Sequence, residues 1–383
     1  MAPAVALALA SMVSAPVQAS PWTRTDVSEL LDVISASESE GLRPEAYAPD
    51  VLRRALDQDD PALDRIADRS ALALAHDYEE GAAPNSARQN WHMPGHSLDY
   101  RVWLDKALAQ HDLRRAFQAL LPDGVAYQGL RTGLGRCRVA RGDCTAILAS
   151  MERWRWLPRE LGQRYLWVNV PAYRLDVMEN GHLVGSHKVI VGKPNRQTPQ
   201  FIATVIGVTI NPWWNVPCSI LPEGIGRLVR TNPEEAARRG YVASHDARGQ
   251  LIVRQRPGPN NALGRLKLEM PNRFNVYIHD TPSRNLFATD ARAYSHGCIR
   301  ADQPLDLAVG LLGPEAALAA EAALADTQTR TIRLPEPMPV YVVYQTAEPD
   351  PAAVDGIAVY PDIYHRDAAL VPFLSDDPNY SSP

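Results

Sequence analysis

Lysine is nearly missing from this 383-residue chain: of 39 basic residues only Lys106, Lys188, Lys193 and Lys267 are lysines, the rest being arginine. With abundant alanine and 32 prolines, that skew reads as coding bias rather than function. Positive charge is not in excess either. A net charge of -5 and a pI near 6.1 exclude a dedicated nucleic-acid partner, because a polyanion calls for a basic surface. Beyond the first nineteen residues no stretch offers eighteen uncharged apolar residues, so no later membrane span is expected. No internal repeat is present. The histidines at 76, 92, 96 and 111 lack the spacing of a metal site and read as surface or capping residues.

What is present is enough apolar residue, 45%, to build a core in each of two or three domains. Residues 1–19 are alanine-rich and end Val17-Gln18-Ala19, with small residues where a signal peptidase reads, so they are expected to be a secretion signal. If uncleaved, that segment would be the chain's one membrane contact. The mature chain is then expected outside the cytoplasm, in the periplasm. Four cysteines in such a setting ordinarily make two disulfides. Cys137 and Cys144 flank a short Arg/Gly loop and can close a small ring; Cys298 is expected free, and Cys218 is unassigned.

From Trp22 to about Leu121 apolar residues recur at three and four, as at Leu30, Leu31, Val33 and Ile34, which marks a helical region with Asp50 placed to cap a helix starting at Val51. The character changes at Met151-Glu152-Arg153-Trp154-Arg155-Trp156. Alternating runs follow at Tyr165–Val170, Tyr173–Val177, Leu183–Val191 and Phe201–Ile210, with shorter β runs at Leu251–Arg254 and Val276–Ile278. The fold class is therefore α+β: a helical scaffold over 20–150, then a mostly β domain over 151–370. Between 217 and 250 the β signal breaks around a short helix framed by Asn232 and Gly240, and this insertion reads as a lid. Leu305 to Ala325 is helical with a break at Gly313-Pro314, Val340–Tyr344 is a last strand, and 371–383 is expected to be a flexible tail.

The densest chemistry lies in Tyr294-Ser295-His296-Gly297-Cys298-Ile299-Arg300. A cysteine attacks as its thiolate, so a histidine within reach must take its proton. Both His279 and His296 qualify. His296 shares a face with Cys298 if the segment is extended. His279 comes from a separate strand end, with Asp280 or its backbone carbonyl fixing the ring tautomer. Gly297 lets the backbone approach a substrate so that the Cys298 N–H can bind an oxyanion, and Arg300 is a permanent cation suited to a carboxylate.

His279 together with Ser295-His296-Gly297-Cys298-Ile299-Arg300 resembles the active-site signature of the L,D-transpeptidases with a YkuD-type catalytic domain. Met151–Pro158, Val191–Pro199, Asn211–Pro217, Asn261–Gly264, His279–Pro282 and Pro339–Ala347 resemble the large periplasmic subgroup, so the likeness covers about 150–370. It implies that Cys298 is the acylated nucleophile and His279 the base, with His296, Gly297 and Arg300 in support. Tyr277, Trp214, Ser295 and Asp280 are expected to line the substrate groove. The implied substrate is a peptidoglycan tetrapeptide stem, cleaved before its terminal D-Ala and passed to a second stem amine to give a 3→3 crosslink. Carbapenem-type β-lactams are the implied inhibitors, and no metal or organic cofactor is required. Two features depart from the subgroup: the peptidoglycan-binding module before Met151 is missing, and the 217–250 insertion is short. The competing readings are a catalytically silent wall-binding scaffold, a sortase-like enzyme, and an L,D-carboxypeptidase or lipoprotein-attaching transpeptidase.

Overall fold

A computed structural model describes residues 22–374. The expected signal peptide at 1–19, and the expected tail beyond Leu374, lie outside the described residues. Contacts divide the chain into two compact units, the first built from residues up to Glu38, Pro44–Tyr78 and Ser97–Leu121, the second from Ser39–Arg43, Glu79–His96 and everything from Pro122 on.

The first unit is helical: α1 (Arg24–Ala36), α2 (Pro49–Asp57), α3 (Leu63–Glu80, through Tyr78), α4 (Tyr100–Gln110) and α5 (Leu113–Gln118). Thr23 starts α1 with a capping box, its hydroxyl taking the Asp26 N–H while the Asp26 carboxylate takes the Thr23 N–H. Apolar residues at three and four meet in the core, where Phe117 receives Tyr78 and Trp103 edge-on. Asp50 does not cap α2. Proline at its first position begins the helix at Pro49, two residues earlier than expected, and Asp50 falls in the first turn.

The second unit opens with α6 (Val125–Val139) and α7 (Thr145–Arg155), joined by the Cys137–Cys144 disulfide. These two helices, read from the sequence as part of the helical region, group with the β unit. Buried Arg153 of α7 pairs with Asp367 at 2.6 Å, which ties the helix to the distal part of the unit. Within α7, Arg155 and Glu152 form a fully buried ion pair at 2.7 Å. Glu152 also accepts the Ala83 N–H at 2.8 Å and the Trp156 indole at 3.2 Å, so neither of its oxygens is stranded.

The sheet of this unit has nine strands in the order β10-β3-β11-β9-β8-β4-β12-β1-β2. Their ranges are β1 (Arg164–Asn169), β2 (Arg174–Glu179), β3 (His182–Gly192), β4 (Phe201–Ile210), β8 (Leu266–Glu269), β9 (Ile278–His279), β10 (Ala293–Ser295), β11 (Ile299–Ala301) and β12 (Arg330–Val343). Because β2 pairs with both β1 and β3, the sheet closes on itself. Alternate residues such as Leu166, Val168, Val189, Val191, Ile278, Ile299, Val340 and Val342 fill the inside, joined by Leu307, Leu311 and Ala320 of α10 (Pro304–Leu312) and α11 (Pro314–Ala323). The α10/α11 break falls at Gly313, whose φ of 77° ends the first helix before Pro314 starts the second.

The insertion is more regular than its sequence implied. A 3-10 turn at Leu221–Glu223 leads into α8 (Ile225–Thr231) and α9 (Pro233–Arg238), the latter capped by the Asn232 side chain on the Glu235 N–H. A second, three-stranded sheet follows, β5 (Trp214–Asn215) beside β7 (Leu251–Gln255) beside β6 (Tyr241–His245). Its own apolar cluster joins Trp214, Val216, Val253 and Leu263. At the far end Val371–Leu374 form a helical turn, α12, with Val371 and Leu374 buried; order therefore continues past Leu370 because two apolar side chains anchor it.

Candidate active site

Strand pairing assembles the site. β9 and β11 run parallel, with Ile278 opposite Ile299 and His279 opposite Arg300, while Lys267 of β8 pairs with His279 from the other side. Side chains alternate along a strand, so burying Ile278 and Ile299 in the closed sheet sends His279, Cys298 and Arg300 to the opposite face. There they line one cavity of about 680 Å³ with Tyr277, Trp214 and Lys267.

The loop that carries Cys298 is held by its neighbours' main chain. Gly297 sits at φ +114°, where an L side chain would be strained, although a Cβ would find space 3.6 Å from the nearest atom. Glycine is therefore required by conformation rather than by room. The Ser295 hydroxyl donates to the Cys298 carbonyl at 2.5 Å and accepts the Gly297 N–H at 3.0 Å. Thr198, from the segment after β3, donates its hydroxyl to the Gly297 carbonyl at 2.9 Å and accepts the Gly192 N–H at 2.9 Å. The Ile299 N–H is spent on the Tyr277 carbonyl, whereas no partner for the Cys298 N–H is found among the described residues. That amide is the one placed to serve an oxyanion.

Cys298 is partly buried, and its thiol donates a long 3.8 Å contact to the Asn275 carbonyl. Burial pushes the thiol above its ordinary range, against contacts with the Tyr277 backbone and side chain and the positive charge of Arg300 and Lys267, which favour the thiolate. His279 is almost fully buried. Desolvation first, and Arg300 second, push its imidazole down to about 3, against the Asp280 and Leu263 carbonyls that favour the charged ring. At neutral pH the resting pair is therefore thiol and neutral imidazole, not an ion pair. The His279 Nδ1 faces the Asp280 carbonyl at 2.5 Å, which places the ring proton on Nδ1 and leaves Nε2 as a base. Tyr277 packs against the ring at 5.4 Å between centroids, and its own hydroxyl is raised by burial and then by Cys298.

The remaining expected residues separate. His296 lines the cavity, but the chain bends at His296 and Gly297, so the extended arrangement expected for it is not formed. Its Nε2 is engaged by Glu223 at 2.8 Å, and the same contact lowers the Glu223 carboxyl. Trp214 lines the cavity as expected. Ser295 reaches it too, though its hydroxyl is consumed by the loop. Asp280 does not line it: the carboxylate is buried, taking the Arg265 and Thr281 N–H groups at 2.8 and 2.7 Å and Arg284 at 2.8 Å. Only the Asp280 backbone touches the histidine. Arg300 finds no carboxylate partner among the described residues.

Sequence reasoning passed over Glu223, Lys267 and Thr198. The patterns were visible only in part: Lys267 stands out as one of four lysines, but Glu223 and Thr198 are separated from their partners by 73 and 99 residues. Of the histidines read from the sequence as surface or capping residues, His76, His96 and His111 meet Asp77, Glu79 and Asp26 at 2.9, 3.3 and 3.2 Å. Among the described residues no cluster of His, Cys, Asp or Glu could hold a metal ion.

Residues 163–311 match the sequence pattern of the L,D-transpeptidase catalytic domain, YkuD, and residues 18–134 match that of the Scaffold domain. A Haemophilus influenzae protein named "Putative L,D-transpeptidase" is 31% identical over 225 residues, which are 54% of this chain and 45% of that protein. The chain thus aligns with under half of that relative's length. Among solved structures, an L,D-transpeptidase from Mycobacterium smegmatis overlaps 47% of this chain and 58% of its own at 15% identity with a TM-score of 0.25. The ertapenem-acylated catalytic domain of an E. faecium L,D-transpeptidase overlaps 48% and 99% at 12% identity with a TM-score of 0.24.

Proposed function

We propose that the chain, whose residues 163–311 match the L,D-transpeptidase catalytic domain, YkuD, is a cysteine acyltransferase acting on peptidoglycan stems. The observation that carries this reading is the β9–β11 pairing, which sets His279 and Arg300 side by side with Cys298 on one wall of the cavity.

Cys298 Sγ attacks the carbonyl of the third stem residue while His279 Nε2 takes the thiol proton. The oxyanion meets the Cys298 N–H. As the C–N bond breaks, His279 returns its proton to the departing D-Ala amine, and a thioester remains on Cys298. A side-chain amine of a second stem then attacks the thioester, its proton passes to His279, and the thiol is restored with a 3→3 crosslink formed. Water in place of that amine gives trimming instead. A burial-raised thiol makes general-base help necessary, and a neutral, buried imidazole supplies it. A β-lactam carbonyl offers Cys298 the same electrophile, so carbapenems are proposed to acylate it.

We place the enzyme outside the cytoplasm, a reading supported by the Cys137–Cys144 disulfide, since such bonds persist in oxidising compartments. The test is incubation with a disaccharide tetrapeptide followed by mass spectrometry. An acyl adduct on Cys298 and crosslinked dimers are expected; an unmodified Cys298, or turnover surviving Cys298→Ala, would sink the proposal.

A further inference from the structure

A second cavity, of about 390 Å³, is lined by Trp213, Arg256, Pro257, Thr327, Gln328 and Thr329. Trp213 also lines the catalytic cavity, so one indole is shared between the two. It is 37% exposed, unlike its buried neighbour Trp214 at 7%. Arg254 is not part of the cavity wall, but its guanidinium lies 5.1 Å from the centroid of the Trp213 ring that is. Burial alternates along β7, so Arg254 in the strand and Arg256 just after it share its exposed face. No carboxylate lies within ion-pair distance of either arginine among the described residues. Arg330, next in sequence to Thr329 of the rim, is paired with Asp326 at 2.6 Å.

Two unpaired guanidiniums, an exposed indole and a rim of threonine and glutamine fit a ligand with carboxylates and short apolar faces. The cavity holds neither nucleophile nor base, so what binds there is held rather than cleaved. We infer that this cavity is the acceptor subsite, in which Arg254, Arg256 and Trp213 hold the carboxylate-bearing stem peptide whose amine attacks the Cys298 thioester. The inference rests on the proposed acyl transfer. The donor occupies the cavity over Cys298, and the acceptor must enter from elsewhere. A four-residue extended peptide spans up to about 14 Å, so a stem anchored by its carboxylates beside Trp213 extends well beyond the subsite.

The experiment separates the two half-reactions. Acylation of Cys298 by a disaccharide tetrapeptide is followed by intact-protein mass spectrometry, and crosslinking is measured with acidic and with carboxyl-amidated acceptor stems. For the wild type, the acidic acceptor is expected to be used about tenfold better than the amidated one. In Arg254→Gln/Arg256→Gln, acylation is expected to stay within about twofold, the acceptor KM to rise about tenfold, and the acidic preference to vanish. An unchanged acceptor KM in the double variant overturns the inference, as does equal use of both acceptors by the wild type. Loss of acylation in the double variant also overturns it, by assigning the arginines to the donor. Competition by a neutral chitooligosaccharide without any acidic preference makes the cavity a sugar platform and equally rejects it. Absence of any adduct on the wild type would instead remove the proposed function itself.

Discussion

Arg300 stands directly opposite His279 across a parallel strand pair, with Lys267 paired to the same histidine from the other side. A base flanked by two cations in a buried position cannot keep a second proton, and its imidazole is accordingly held down to about 3. Those cations favour the Cys298 thiolate while they disfavour the charged base. The arrangement gives the site a working base over the whole neutral and mildly acidic range.

The pH dependence follows with a definite sign. A base titrating near 3 is unprotonated at pH 5, so the acidic limb of Cys298 acylation should lie well below the ordinary histidine value of 6.5. Stopped-flow acylation by a carbapenem from pH 3 to 9 measures it; half-loss near 6.5 would contradict the assignment. The same shift acts on stability. The unfolded chain binds the His279 proton from 6.5 downward and the folded chain only near 3, so stability falls as pH drops through that window. His279→Gln should lose this part of the acid sensitivity in denaturant titrations at pH 7 and pH 4.5.

Removing the two reacting groups should have unequal effects. Cys298→Ala should abolish adduct formation, and His279→Ala should slow acylation by at least about a hundredfold at pH 7 while leaving the circular dichroism spectrum intact. His296→Ala should keep acylation within about tenfold, because that ring is turned to Glu223. A reversed order of the two histidine variants would make His296 the base.

Glu223 ties the inserted segment to the nucleophile loop through His296. Glu223→Gln should raise donor KM by about two- to fivefold with a smaller effect on the acylation rate at saturation, and should speed amide exchange around α8. An unchanged KM with unchanged exchange would show that this contact holds nothing in place.

Glu152→Ala should be among the most damaging changes away from the cavity. It removes the 2.7 Å carboxylate partner of the fully buried Arg155 guanidinium and strands the Ala83 amide. A cost of about 3–5 kcal/mol is expected from breaking such a pair. Chemical denaturation followed by tryptophan fluorescence checks it, and a loss under about 1 kcal/mol would mean that water enters to solvate the arginine.

Local chemistry made Cys298 legible before any fold, since its thiol, the His296 imidazole and the permissive Gly297 lie within three residues, whereas His279, nineteen residues earlier, was singled out as the base by the family resemblance. The strands before Ile210 were also legible, from alternation alone. What could not be read was partnership at a distance. Asp280 sits beside the base in sequence, yet its carboxylate turns away to the Arg265 and Thr281 amides, and the backbone carbonyl does the orienting. Strands β6 and β8 are short and carry charged or polar residues on their open face, so their period is weak; tertiary pairing with β7 and β4 makes them strands. The helices α6 and α7 carry a normal helical pattern, and partnership at a distance, as between buried Arg153 of α7 and Asp367, is what groups them with the sheet.

The closed pairing has a further meaning for how a peptide is read. β9 is bonded on both edges, by β8 and β11, and β11 on both edges, by β9 and β3. Neither strand has an edge to lend, so a stem peptide cannot dock here by adding itself as another strand and borrowing main-chain register. It must be recognised end-on, by side chains projecting from one face. Such recognition does not demand the repeating main-chain geometry of an all-L strand, which suits the proposed stem, in which an L-centre is followed by a D-residue.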